Sequence, residues 1–323
     1  MKAYWITKSA QGTVLEPREV PTPRPGPGQV LVRLHATSIN RGDILATISR
    51  HSATEGRPAG VDGAGEVQAL GEGVRGVTVG ERVMLRAKGC FAEYVVTDAS
   101  LLTRIPPTLS WEQAAAIPVA FITAYEALIQ LGRLHAGEWL LVAGASSGVG
   151  VAALQTAKLL GAQVIGVSGS AEKLTRLKAL GLDVGIQGRS GYANRAREAT
   201  GGRGVDLALN LVGGSAFPEC LAALADFGRL AIVGYVDGQM STDLDLESVH
   251  GKRLQIFGVS NSPLTTAQRA AAQRGFEREV LPALADGRIS PVIDRVFAFD
   301  DLPAAKACVE RNELLGKVVV RVM

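Results

Sequence analysis

Apolar residues fall in short bursts along the first 110 positions of the chain. QVLVRLHA (29–36), GAGEVQAL (63–70), ERVML (81–85) and FAEYVV (91–96) are set apart by glycine and proline. Bursts of this length between turn-forming residues predict strands. The stretch 21–28, PTPRPGPG, is a stiff turn, because proline removes backbone donors and blocks the helix. Glycines at 60, 63, 65, 71, 73, 76 and 80 punctuate what reads as a compact β-barrel-like module. The pattern changes at Ser110, where Ser-Trp-Glu-Gln fits a capping box and opens an alanine-rich helix. Pro118 interrupts that helix, and a second one is expected over 121–131.

From Glu138 onward strand and helix alternate. WLLVAG (139–144), QVIGVS (163–168), VGIQ (184–187), VDLALNLVG (205–213), RLAIVGY (229–235) and RLQIFGVS (253–260) read as strands. Helical segments separate them at 149–161, 171–180, around 191–199 and at 216–225. This alternation defines an α/β class, a doubly wound fold with a six-stranded parallel sheet. The tail returns as a long helix (267–286), a strand (292–299), a short helix and a last strand, GKVVVRV (316–322). No solenoid repeat is present.

Composition narrows the function classes. Of 323 residues 38 are glycine, against roughly 23 at average usage, and no Gly-X-Y period accompanies them. A surplus in so apolar a chain points to tight turns and close backbone approaches. The net charge of +3 does not imply a nucleic-acid partner. The three cysteines, Cys90, Cys220 and Cys308, lie far apart without a CxxC, which excludes a zinc finger or ribbon. So sparse a set fits a reducing, cytoplasmic setting. The start MKAYWITKSAQ lacks an apolar leader core. The uncharged run 139–157 is 19 residues long, but its glycines, serines and strand-like first half argue against a membrane span.

The sharpest chemical signal is GASSGVG (144–150), placed between a strand and a helix. Glycines there let the backbone approach a pyrophosphate, and the helix start offers free N–H groups and a positive dipole end. Short-chain dehydrogenases carry the same heptad but need a Tyr-x-x-x-Lys pair after it. The one such pair here is Tyr4 with Lys8, far upstream. At the end of the second strand an NAD site usually carries a carboxylate. Here the strand ends Ser168-Gly169-Ser170, and Lys173 stands in the first turn of the next helix. A cation there opposes the helix dipole by about 0.3–1 kcal/mol. A 2′-phosphate beside it offers a charge-assisted bond of about 1.5–3 kcal/mol. Arg189 is a second candidate cation, and NADPH is the expected cofactor.

These blocks, with INRGD (39–43), GVDGAGEV (60–67), VGERV (79–83), AAAIPVAFITAYEAL (114–128), GSAEKL (169–174) and GGRGVD (201–206), carry a resemblance over essentially the whole chain. The chain resembles the zinc-free quinone oxidoreductases, the zeta-crystallin-like branch of the medium-chain dehydrogenase/reductase superfamily. The resemblance implies a GroES-like catalytic domain at 1–118 and 265–323, with a Rossmann NADPH-binding domain at 119–264. The Cys, His and Cys that bind catalytic zinc in related alcohol dehydrogenases match Asn40, Val61 and Val119, which make no zinc site. The four-cysteine lobe is also missing between 83 and 91, so no metal is expected. By resemblance Asn40 and Thr123 lie at the nicotinamide and substrate, with the Asn40 amide donating to a carbonyl or holding the carboxamide. Cofactor contacts are implied for Ser147, Gly148, Val149, Ser168, Lys173, Arg189, Val212, Gly234, Tyr235, Phe257, Gly258, Val259 and Lys317. Two departures stand out. Gly188 replaces a tyrosine common beside the 2′-phosphate, and the loop after Asp43 lacks the tyrosine and proline run of relatives. His51 in that loop is a candidate proton donor.

The activity implied is NADPH-dependent hydride transfer to a quinone or another α,β-unsaturated carbonyl, with positioning and charge stabilisation as the protein's share. An enoyl or alkenal double-bond reductase of the same superfamily is the nearest alternative. A non-enzymatic NADPH- or RNA-binding protein of the zeta-crystallin kind is the alternative from another class. It lacks the support of a basic stripe with interleaved aromatics. Relatives pair through the edge of the Rossmann sheet, so a homodimer through 254–259 is expected.

Overall fold

The fold is that of a computed structural model, which describes residues 1–9, 12–44 and 56–323. The chain forms two units, Met1–Ala120 with Thr265–Met323, and Phe121–Leu264.

The first unit starts with the antiparallel hairpin β1 (Lys2–Ser9) and β2 (Gly12–Glu19). The sequence pattern does not announce this hairpin. Adjacent Ala3 and Tyr4 are both buried, which breaks the period-two signal. β3 (Gln29–Ile39) is followed by the single turn α1 (Arg41–Ile44), the short β4 (Arg57–Pro58) on β1, and β5 (Asp62–Leu70). Then come β6 (Arg82–Arg86), β7 (Tyr94–Asp98) and β8 (Leu102–Arg104). Helix α2 (Trp111–Ala115) carries the expected capping box of Ser110 and Gln113, and α3 (Pro118–Tyr125) begins at the interrupting proline.

The second unit holds β9 (Trp139–Ala143), α4 (Gly148–Leu159), β10 (Gln163–Ser168), α5 (Ala171–Lys178), β11 (Val184–Gln187) and α6 (Tyr192–Ala199). It continues with β12 (Val205–Asn210), α7 (Phe217–Ala223), β13 (Leu224–Ile232), α8 (Leu246–Gly251) and β14 (Gln255–Gly258). These six strands form one parallel sheet in the order β11-β10-β9-β12-β13-β14. The fold is the expected α/β one. Its core packs Leu141, Ile165, Ala208 and Leu230 of the sheet against Tyr192, Phe217 and Leu221 of α6 and α7. Several boundaries shift, and β12 stops at Asn210, short of the expected 213. β13 ends at Ile232, so Gly234 and Tyr235 lie in the loop beyond it, and β14 is shorter than 253–260. The uncharged run 139–157 is strand, loop and helix. Among the described residues no helix is long and apolar enough to cross a membrane.

The chain then returns to the first unit. The helix expected over 267–286 is two helices, α9 (Thr266–Glu279) and α10 (Leu281–Ala285). Pro282 has no N–H to give and its ring crowds the preceding turn, so the helix breaks at Val280. β15 (Ile293–Ala298), α11 (Leu302–Glu310) and β16 (Lys317–Arg321) follow. Among the described residues the main sheet runs β15-β16-β3-β5-β6-β8, with β7 also on β3.

β3 is the hub of this sheet. Gln29 to Arg33 pair with β7, and Ala36 to Ile39 pair with β16. Its other edge follows β5, with a register shift between Leu34 and Ala36. Gly65 sits opposite that shift. A Cβ there would lie 2.0 Å from the Arg33 carbonyl oxygen, so only glycine lets the strands close. Gly65→Ala should therefore cost about 1–3 kcal/mol in chemical denaturation. Gly251→Ala, where an added Cβ meets nothing within 4 Å, should change stability by less than about 1 kcal/mol.

Candidate active site

Each unit carries one cluster of candidate residues. In the second unit the loop after β9 turns at Gly144, whose φ of +89° suits glycine. The Ser147 hydroxyl donates to the Gly144 carbonyl at 2.9 Å and accepts from the Gly150 N–H at 3.1 Å. It thereby caps α4. The Ser147 N–H is turned back to Gly144 at 3.1 Å. The main-chain N–H groups of Gly148 and Val149, in the first turn, remain available to an anion. Gly150 is also required, since a Cβ would lie 2.6 Å from the Gly144 carbonyl oxygen.

At the carboxyl end of β10, Ser168 accepts from the Ser170 N–H at 3.3 Å, and Ser170 caps α5 through the Lys173 N–H at 3.3 Å. Arg189, exposed after β11, leans toward this end. A Cβ on Gly169 would lie 3.8 Å from Arg189 Nε. Gly188 has a φ of +146°, which a tyrosine would adopt only with strain. No carboxylate stands at 168–170. Val212, Gly234, Tyr235 and Val259 follow carboxyl ends of the sheet, and Phe257 and Gly258 form the end of β14, where open α/β sheets take ligands. Asn210 shapes the first of these loops by accepting from the N–H groups of Val212 and Gly213 at 2.9 and 3.0 Å. Thr123 is buried on α3 in the same unit.

In the first unit, Asn40 and Lys317 come together around Asp62, a residue that sequence reasoning did not single out. Asp62 is fully buried. Its Oδ2 accepts from Ser38 Oγ at 2.9 Å, Asn40 Nδ2 at 2.8 Å and Lys317 Nζ at 3.1 Å. Its Oδ1 accepts from the Val119 N–H at 2.8 Å. Lys317 Nζ also donates to Asn40 Oδ1 at 2.5 Å. The second Asn40 amide hydrogen goes to Asp43 Oδ2 at 3.2 Å. The opposite amide orientation would place Nδ2 at the ammonium and Oδ1 at two carboxylates, so the charges fix this one. The only sequence signal for Asp62 is a single aspartate among valine and glycines in the block GVDGAGEV.

Asp43 accepts from the Asn40 N–H at 2.9 Å. Burial pushes its carboxyl up to about 6, and the Asp62 charge adds to this, against hydrogen bonds from Asn40 and the Lys317 charge. Cys90 donates to the carbonyls of Val61 and Ala87, both at 3.2 Å, and burial holds it a neutral thiol. At the positions matching zinc ligands, Asn40 presents an amide already engaged, while Val61 and Val119 present no ligating side chain. Among the described residues no group of three or more His, Cys, Asp or Glu could hold a metal. His51 lies outside the described residues.

Comparison with known proteins agrees with this architecture. Residues 26–107 match the family model described as alcohol dehydrogenase GroES-like domain, and residues 148–273 that described as zinc-binding dehydrogenase. Three solved structures match over all of both chains. An NAD-dependent alcohol dehydrogenase is 31% identical with a TM-score of 0.86. Mycobacterial Rv1454c complexed with NADPH is 27% identical with a TM-score of 0.90. A Pseudomonas syringae quinone oxidoreductase is 27% identical with a TM-score of 0.88. CurK enoyl reductase is 25% identical with a TM-score of 0.85, each chain covered to 99%. A phenolphthiocerol/phthiocerol polyketide synthase of Mycobacterium tuberculosis is 32% identical over 95% of this chain. The chain spans 14% of that protein's length. The chain belongs to the medium-chain dehydrogenase/reductase superfamily.

The Asp43 carboxyl has a pH signature. Its value in the fold, about 6, exceeds the ordinary 3.8, so the fold binds its proton more tightly than the unfolded chain does. The stability this contributes is complete below pH ~4 and lost as pH rises through about 6, a span worth up to about 3 kcal/mol. Asp43→Asn should therefore gain stability relative to the parent between pH 4 and 7 in thermal melts. An unchanged difference between the two pH values would disprove it.

Proposed function

We propose that the protein is a zinc-independent, NADPH-dependent reductase of conjugated carbonyl compounds, quinones foremost. The carrying observation is the carboxyl end of β10, where Ser168 ends the strand, Lys173 stands in the first turn of α5, Arg189 lies near Gly169, and 168–170 holds no carboxylate. That donor set suits a 2′-phosphate and repels no charge on it. The amides of Gly148 and Val149 at the start of α4 suit the pyrophosphate. The matching structure complexed with NADPH supports the same cofactor.

When bound, NADPH supplies a hydride to the electron-poor carbon of the substrate. The chain's own residues hold the cofactor through its phosphates and the loops after β12, β13 and β14. They also bring a buried, charge-compensated polar cluster, Asp62 with Asn40 and Lys317, to the catalytic unit. Zinc independence rests on the donor chemistry at Asn40, Val61 and Val119. The domains of this reading are 1–118 with 265–323, and 119–264, and the active form is a homodimer through β14. Thr123 serves on the nicotinamide side.

A second reading, reduction of an enoyl group, is favoured by the likeness to CurK enoyl reductase and to the polyketide synthase. The two readings separate in a turnover panel of quinones, 2-alkenals and 2-enoyl thioesters with NADPH. Highest kcat/KM on quinones supports the first, on thioesters the second, and no turnover on any defeats both. Lys173→Ala and Arg189→Ala should each raise KM for NADPH about 10-fold or more while leaving KM for NADH near the parent value, from the strength of charge-assisted phosphate bonds. Equal losses with both cofactors would remove the 2′-phosphate role.

A further inference from the structure

The three positions that match zinc ligands in related dehydrogenases all adjoin Asp62. Asn40 and the Val119 N–H bond to its two carboxylate oxygens, both at 2.8 Å, and Val61 is its chain neighbour. The cation on Asp62 here is the Lys317 ammonium, 3.1 Å from Oδ2 and with 5% of its side chain exposed. Its place is secured locally. Gly316 before it has a φ of +87°, and a Cβ there would lie 2.2 Å from the Val292 carbonyl oxygen. The Lys317 N–H donates to that same carbonyl at 2.9 Å.

One group of the cluster keeps an unspent hydrogen. Both Asn40 amide hydrogens go to carboxylates, at 2.8 Å on Asp62 and 3.2 Å on Asp43. The Ser38 hydroxyl and the Val119 N–H are also spent on Asp62. An ammonium has three hydrogens. Lys317 gives one to Asn40 Oδ1 and one to Asp62 Oδ2, which leaves the third. Asn40 therefore cannot donate to a substrate carbonyl without giving up a charged partner, whereas Lys317 can. Asp62 compensates the Lys317 charge, and Asn40 bridges the two.

We propose that Lys317 is a catalytic residue, a fixed ammonium that receives the substrate carbonyl oxygen through its third N–H. This rests on the reductase reading above. As the new C–H bond forms at the conjugated carbon, the C=C π pair shifts toward the carbonyl and leaves negative charge on its oxygen. Lys317 stabilises that oxyanion by a charge-assisted hydrogen bond, and solvent supplies the proton that completes the product. NADPH is the reductant, and Lys317 ends the cycle with all three hydrogens. Asn40 is then a positioning residue, which holds the ammonium against Asp62.

The test uses the full-length protein with Lys317→Met and the charge-balanced double variant Lys317→Met, Asp62→Asn. The double variant guards against misfolding from an unpaired buried carboxylate. Kinetics are measured on the best substrate of the panel, NADPH affinity by fluorescence titration, and the ionisation of bound 4-nitrophenol, an oxyanion mimic, by its absorbance. In the folded variants kcat should fall about 100-fold, the usual loss for one oxyanion donor. NADPH affinity should stay within about threefold, which would set aside the cofactor contact that the resemblance implies for Lys317, and nitrophenol bound as phenolate by the parent should bind neutral or not at all. A folded variant with kcat within about threefold of the parent overturns the proposal. If the parent turns over no member of the panel, the reductase reading fails by itself and nitrophenol decides on Lys317. Phenolate in the parent but not in the variants keeps the oxyanion site, whereas equal ionisation or no binding to the parent removes it.

Discussion

A buried carboxylate with four donors organises the first unit. Asp62 begins β5 and accepts from Ser38 on β3, from Asn40 just after it, from Val119 at the start of α3 and from Lys317 at the start of β16. A carboxylate with no exposure is costly unless its lone pairs are filled and its charge is balanced. Here both conditions hold only when these segments are in register. A one-residue slip of β5 on β3 would turn Asp62 to the opposite face and strand the ammonium of Lys317. The ion pair is therefore better understood as fixing one arrangement of the sheet, and with it the orientation of Asn40, than as adding stability.

The second unit works by a different division of labour. The core around its sheet is apolar, and the buried Ser168 and Asn210 stand where two of the parallel strands end. Strand ends leave backbone N–H groups and loop side chains without lateral partners, so ligand chemistry collects there. Gly144 and Gly150 allow a tight approach at the first strand. Gly188 removes side-chain bulk after the third. On the proposed reading the two units contribute complementary tools, anion recognition from backbone and surface cations in one, and a buried charge cluster in the other.

What was legible in the sequence was local. The strand–glycine loop–helix order, the six alternating strands and the capping box at Ser110 each depend on neighbours within a few residues, and each is present. The break at Pro282 was equally local, but the amphipathic run around it concealed it. The Asp62 cluster was not legible. A single aspartate in GVDGAGEV has no periodic signature, and its counter-ion lies 255 residues away. Asn40 and Lys317 were named separately by resemblance, yet nothing in the sequence tells that they share a hydrogen bond or which way the Asn40 amide points. The displaced titration of Asp43 was not legible either, since it comes from burial.

The order of the segments along the chain also sets an order of assembly. The residues of the second unit are contiguous, so during synthesis its sheet can close as soon as β14 has emerged. The first unit has no such freedom. β3 must keep one edge open until β16 arrives, and Asp62 must wait for Lys317 through the whole elongation of the intervening unit. A nascent chain halted before Lys317 would therefore carry a finished nucleotide fold beside an open strand edge and an uncompensated carboxylate.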